Sequence, residues 1–139
     1  MIIVLDTNIL ISALIRDSVT REIIMSSGLD FRLPELSMHE IRKHKTMILG
    51  KSGLPESAYE NTLNKLMEYV LLIPTEEIKE MLDDAKKIML HIDPNDVVFL
   101  AAAMAYPSAI IWSDDRHFER QKKVAVVKTE QLFRMFYKA

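Results

Sequence analysis

The chain has no cysteine and only three glycines among its 139 residues. Without thiols it can form no disulfide, no zinc–thiolate site and no thiol nucleophile, which leaves oxygen and imidazole as ligands for any metal. The glycines, Gly28, Gly50 and Gly53, do not follow the first strand-like run. The glycine-rich phosphate turns of Rossmann and P-loop nucleotide binders are therefore missing. The longest apolar run, Val97 to Tyr106, falls well short of the roughly 20 residues that a membrane-spanning helix needs. No N-terminal segment combines a basic start, an apolar stretch and a small-residue cleavage site, so a soluble, cytoplasmic protein with no membrane association is expected. Positive charge is not in excess: Lys and Arg number 18 against 20 Asp and Glu, a net charge of −2. Any attraction to nucleic acid must then come from a local basic patch.

What remains is ordinary globular material, 49% hydrophobic and 27% charged, enough for one domain over residues 1–139 with a real core. The run Ile2-Ile3-Val4-Leu5 is apolar on consecutive positions and rich in β-branched residues, as a parallel strand covered on both faces would be. Further strands are expected at Asp30 to Leu33, Val70 to Ile73, Ala109 to Trp112 and Val124 to Val127. Between them, Thr75 to Leu90 places Ile78, Met81, Leu82, Ala85, Ile88 and Met89 on one helical stripe. Helices also fit Thr7 to Ile15, Val19 to Ser27, Ser37 to Leu49, Pro55 to Tyr69, Pro94 to Ala105 and Thr129 to Tyr137. Strands alternating with helices imply a three-layer α/β/α sandwich around a central parallel sheet of about five strands.

In such sheets the functional crevice lies beyond the carboxyl ends of the strands. Asp6 follows the first strand and Asp114-Asp115 the fourth, while Glu40 and Asp96 stand near expected helix starts. Each acid also has a local structural use. Asp6 can cap the helix after it, Ser37-Met38-His39-Glu40 fits a capping box, Asp93-Pro94-Asn95-Asp96 reads as a helix start capped by Asp93, and Ser113 to Arg116 can be a polar turn. Taken together, however, the acids recur at places that face one crevice. Four carboxylates there would not stay ionised near neutral pH without a counter-charge, and Mg²⁺ or Mn²⁺, which prefer carboxylate and water oxygens, supply one.

Leu5-Asp6-Thr7-Asn8-Ile9-Leu10, the mid-chain Glu40, Asp93-Pro94-Asn95-Asp96 running into Leu100-Ala101-Ala102-Ala103, and Ser113-Asp114-Asp115-Arg116-His117-Phe118 resemble the spaced acidic motifs of the PIN-domain family, including its VapC-like ribonucleases. The resemblance spans nearly the whole chain. It implies a parallel sheet between helices and a metal-dependent endoribonuclease, as in the toxin halves of many toxin–antitoxin pairs, with an antitoxin protein as partner and a homodimer as assembly. It places the four acids at Asp6, Glu40, Asp96 and the Ser113 to Asp115 segment. Within that segment Ser113 and Asp115 fit the pattern best, with Phe118 three residues on, and Asp114 is an additional acid kept as a metal ligand. Thr7, Asn8 and Ser113 are implied as polar supports, and the role of Asp93 is open.

The implied chemistry is phosphodiester hydrolysis by a metal-activated water. Arg42, Lys43 and Lys45 beyond Glu40, and Arg116 and Arg120 beyond the fourth acid, are candidates for RNA contacts, with a solvated helix face as the alternative. His39, His44, His91 and His117 have no His-x-x-x-His or triad-like spacing and are expected to be surface or structural. A haloacid-dehalogenase-like phosphatase would need a second acid where Asn8 stands. A nonenzymatic RNA-binding or scaffold module on the same fold is the main alternative.

Overall fold

The computed structural model describes residues 1–15 and 19–137. Its sheet has five strands: β1 (Ile2–Leu5), β2 (Asp30–Pro34), β3 (Val70–Ile73), β4 (Ile110–Trp112) and β5 (Val126–Val127). They lie in the order β3-β2-β1-β4-β5 and every neighbouring pair is parallel. Successive side chains of a strand point to opposite faces, so the apolar run of β1 serves both. Ile3 and Leu5 join one core and Val4 the other.

The first core is closed by α1 (Thr7–Ile15), α2 (Val19–Ser26), α3 (Glu35–Lys43), α4 (Lys45–Ser52), α5 (Glu56–Met67) and α9 (Thr129–Tyr137). Leu10, Leu14, Ile24, Ile41, Tyr59 and Trp112 are fully buried there or nearly so. The second core is closed by α6 (Thr75–Lys79), α7 (Leu82–Met89) and α8 (Val97–Met104). In α8 the small residues Ala101, Ala102 and Ala103 are all buried, which brings its backbone close to the sheet. The expected α/β/α sandwich with a five-stranded parallel sheet is present.

Three elements differ from the sequence expectation. The helix expected over Ser37 to Leu49 begins earlier, after Pro34, and is interrupted at His44, whose backbone (φ −96°, ψ 12°) leaves the helical region. The bend turns α4 so that Ile48 reaches the core beside α1. The helix expected over Thr75 to Leu90 is likewise two segments, separated at Glu80 and Met81, each resting on α8. Strand β5 starts at Val126 because Gln121 captures Val124: the Gln121 amide donates to the Val124 carbonyl at 2.7 Å and accepts from its N–H at 3.0 Å. Gly53 ends α4 in the left-handed region (φ 68°), and Pro55 then caps α5. Among the described residues, no helix is long and apolar enough to cross a membrane.

Candidate metal centre

Asp6 is the first residue beyond β1. Its N–H donates to the Trp112 carbonyl at 3.1 Å, extending the β1–β4 pairing by one residue, and its own carbonyl accepts from Ile9 at 3.0 Å to start α1. This pins Asp6 at the point where the chain's connections leave β1 to opposite sides, the usual crevice of an open α/β sheet. The side chain is 5% exposed. Oδ2 accepts a hydrogen bond from Ser113 Oγ at 2.8 Å and Oδ1 one from the Asn8 N–H at 3.3 Å. The helix-start bond expected of Asp6 is therefore present in its Asn8 contact, and the same carboxylate also opens toward the crevice.

The fully buried Ser113 also organises the β4 exit. Its Oγ accepts from the Asp115 N–H at 3.0 Å, and Asp115 Oδ1 accepts from the His117 N–H at 2.9 Å, capping a short 3-10 turn over Arg116–Arg120. Phe118 anchors that turn, buried edge-to-face against Phe99 at 6.4 Å. Asp114 points elsewhere. Its two oxygens accept from the Thr129 N–H at 2.9 Å and from Thr129 Oγ1 at 2.7 Å, closing the start of α9, while Thr129 Oγ1 accepts from Trp112 Nε1. Of the two adjacent acids Asp115 faces the centre, and Asp114, expected as a further ligand, has both oxygens occupied by a helix cap.

Asp96 closes a 3-10 turn, Pro94–Asp96, that leads into α8, and Asp93 caps that turn through Oδ1 to the Asn95 N–H at 2.9 Å. Residues three apart eclipse on a 3-10 turn, so Asp93 and Asp96 fall on one side. Asp96 is 7% exposed, and its Oδ2 is buried without a hydrogen-bond partner.

Glu40 is brought to the same cleft by a link between helices: Thr7 Oγ1 donates to Ser37 Oγ at 3.0 Å, fastening α1 to α3. The expected Ser37–Glu40 capping box does not form. Ser37 lies inside α3 rather than at its start and is buried, and the α3 N-terminus has no side-chain cap. Glu40 is exposed and lines a cleft of about 310 Å³ together with Asp6, Asn8, Lys43 and Asp96. Of the expected RNA contacts, Lys43 is at this cleft and Arg42, Arg116 and Arg120 are exposed. Lys45 is engaged by Glu56 at 2.6 Å and Glu60 at 2.8 Å.

The electrostatics of the group follow from its burial. Desolvation pushes the Asp6 carboxyl above its ordinary range, opposed by the hydrogen bonds from Ser113 and Asn8, with Asp115 and Asp114 adding to the rise. Asp96 is pushed up to about 7, first by burial and then by Asp93, Asp6 and Asp115, with His117 pulling it down. Among the described residues no lysine or arginine forms an ion pair with Asp6, Asp93, Asp96 or Asp115. The donor set is made of hard oxygens, and the buried Asp96 Oδ2 has no hydrogen-bond partner among the described residues. Both fit a divalent cation.

Two residues here were not assigned from sequence. His117 Nδ1 lies 3.0 Å from Asp93 Oδ2, 3.2 Å from Asp115 Oδ1 and 3.7 Å from Asp96 Oδ2. This histidine, its side chain about half exposed, sits among the acids. Asp93 stands beside Asp96 as well as capping its turn. The spacing Asp93-x-x-Asp96 on a tight turn and the position of His117 two residues beyond Asp115 were the available signals.

Comparison with known proteins bears on the fold and the family. No curated protein matches the sequence. Among solved structures, a chain in the crystal structure of VapBC2 from Rickettsia felis bound to a DNA fragment from their promoter superimposes with a TM-score of 0.67 at 16% identity, covering 92% of this chain and 98% of that one. At that identity the likeness concerns the fold. A family profile described as PIN domain matches residues 4–135, nearly the full length, and the chain belongs to the PIN-domain family.

Proposed function

We propose that the protein is an Mg²⁺- or Mn²⁺-dependent endoribonuclease whose site is Asp6, Glu40, Asp96 and Asp115, and that it serves as the toxin of a toxin–antitoxin pair. The observation that carries the reading is Asp96: a buried carboxylate with an unpartnered oxygen, beside Asp6 and with no lysine or arginine among the described residues to neutralise it. A solvated acidic surface would not need such burial, and a scaffold would gain nothing from the repulsion it creates.

The cation, when bound, supplies a water of lowered pKa and neutralises charge building on the phosphoryl group. The chain's own residues do the rest. Ser113 Oγ and the Asn8 N–H hold the Asp6 carboxylate in one orientation and favour its ionised form. Ser113 also fixes the turn that presents Asp115. Glu40, carried on α3 at the rim of the cleft rather than in the sheet, completes the acids from the opposite helix. Lys43 at the cleft, with the exposed Arg42, Arg116 and Arg120, meets backbone phosphates, and these contacts supply substrate affinity that the net charge of −2 does not. Hydrolysis of this kind does not use the ribose 2′-hydroxyl as nucleophile and leaves a 5′-phosphate, so preference for RNA rests on substrate contacts.

A protein antitoxin, a homodimer and a cytoplasmic location belong to the same reading, supported by family membership and by the likeness to a chain of the VapBC2 complex. The test is cleavage of single-stranded and structured RNAs by purified protein with Mg²⁺ or Mn²⁺, alongside Asp6→Asn and Asp96→Asn. Loss of cleavage in chelator and in both variants is expected. Cleavage that persists in either case contradicts the metal mechanism, and a fully folded protein that binds RNA without cutting it under any metal condition favours the nonenzymatic alternative.

A further inference from the structure

We propose that Asp93, Asp96 and His117 form a mixed nitrogen–oxygen cation subsite beside the acidic cleft, which makes the centre select Mn²⁺ and similar first-row transition ions over Mg²⁺. The inference rests on the reading of the centre as cation-binding and adds to it an imidazole ligand.

One donor atom from each of the three residues lies within 4.8 Å of the others, close enough for a single ion to touch all three. Asp96 belongs to both the cleft and this subsite, so the two adjoin. The second, independent observation concerns hydrogen bonds. Asp96 is 7% exposed and its Oδ2 has no partner, and His117 Nδ1 is also buried without one. Three carboxylate oxygens approach that nitrogen to between 3.0 and 3.7 Å, yet none is placed to accept a hydrogen bond from it. A histidine serving only as a built-in counter-cation would aim its N–H at one of them. An imidazole that gives its Nδ1 lone pair to an ion shared with Asp93 and Asp96 leaves both orphaned atoms satisfied.

The neighbouring contacts hold this arrangement. Asp93 keeps Oδ2 toward His117 because Oδ1 is fixed on the Asn95 N–H. Asp115 Oδ1, already accepting the His117 N–H, sets the backbone of the turn that carries the ring, and buried Phe118 anchors that turn from the next position. Chemistry then sets selectivity. Mg²⁺ strongly favours six oxygens, whereas Mn²⁺, Co²⁺ and their neighbours accept imidazole readily.

The experiment titrates MnCl₂ and MgCl₂ separately into the whole protein by calorimetry, and records pulsed electron paramagnetic resonance of bound Mn²⁺ for ¹⁴N coupling. The wild type is expected to bind Mn²⁺ at least about tenfold more tightly than Mg²⁺ and to show ¹⁴N coupling, with both features lost in His117→Ala while Mg²⁺ affinity changes little. The coupling should survive in His44→Ala, which alters the histidine that lines the adjoining cleft. Equal affinities in the wild type, absence of ¹⁴N coupling, or its loss in His44→Ala instead of His117→Ala overturns the assignment. The wild-type resonance decides the matter without any variant should His117→Ala not fold. Binding of neither ion would count against the ribonuclease reading itself, whereas equal binding of both removes only this inference.

Discussion

Two groups of acids in this molecule keep opposite company. Asp30 and Glu77 belong to a network in which each negative charge has a donor. Arg32 forms a two-pronged pair with Asp30 at 3.1 Å and lies 5.0 Å over the Tyr106 ring, and the Tyr106 hydroxyl donates to Glu77. At the carboxyl ends of β1 and β4, Asp6, Asp96, Asp115 and Asp93 have no lysine or arginine partner among the described residues, and burial makes their mutual repulsion stronger. The first arrangement is what a chain does with charge when only stability is at stake. The second costs stability in the metal-free protein and makes sense where a cation offsets it on binding.

The largest effect expected from breaking this contrast is on activity. Asp96→Asn and Asp6→Asn should each lower metal-dependent RNA cleavage by at least about 100-fold, more than is typical for residues that only support ligands, as measured by single-turnover kinetics. The same Asp96→Asn change should raise metal-free stability at pH 8 by roughly 1–2 kcal/mol, because it removes a buried charge held among like charges. A destabilised Asp96→Asn protein would place Asp96 among ordinary structural carboxylates.

Next in size is a pH effect. Asp96 titrates near 7 in the folded chain against 3.8 for its ordinary value. Between those values the folded state holds a proton that the unfolded state has lost, so metal-free stability falls as pH rises through that window. Thermal unfolding in chelator should show a midpoint lower at pH 8 than at pH 5 by about 5 °C, and millimolar Mn²⁺ should close most of that gap. An unchanged or rising midpoint contradicts the repulsion.

Asp114→Ala sharpens the division between the two adjacent acids. Loss of the Thr129 cap should cost about 1 kcal/mol by chemical denaturation, with far less effect on cleavage than Asp115→Asn. The smallest effect belongs to the neutralised network. Asp30→Asn should change stability by no more than about 1 kcal/mol, since its pair with Arg32 is half solvated, and its effect should not respond to added metal.

Much of this was legible in the residues. The β-branched run at Ile2 to Leu5 and the apolar run at Ala109 to Trp112 marked the central strands, and the rule that loops gather at strand carboxyl ends pointed from there to Asp6 and the Ser113–Asp115 segment. Other features depend on tertiary packing. Neither His44 nor the Glu80–Met81 pair carries a helix-breaking glycine or proline, so nothing local announced that those helices divide where packing against α1 and α8 requires. Asp114 and Asp115 are chemically identical neighbours. Only the position of Thr129, brought beside β4 by β5, separates the acid that caps a helix from the one that faces the acidic cluster. His117 escaped notice because metal-binding histidines are sought at helical spacing from another histidine, while its partners are three carboxylates arriving from two separate tight turns.

The central claim is that distant acids meet around one cation, and an anomalous difference map from crystals grown with Mn²⁺ tests it most directly. A peak within coordination distance of Asp96 and of Asp6 or Asp115 is the predicted result. A well-ordered site with no peak there, at Mn²⁺ concentrations that support RNA cleavage, would contradict it.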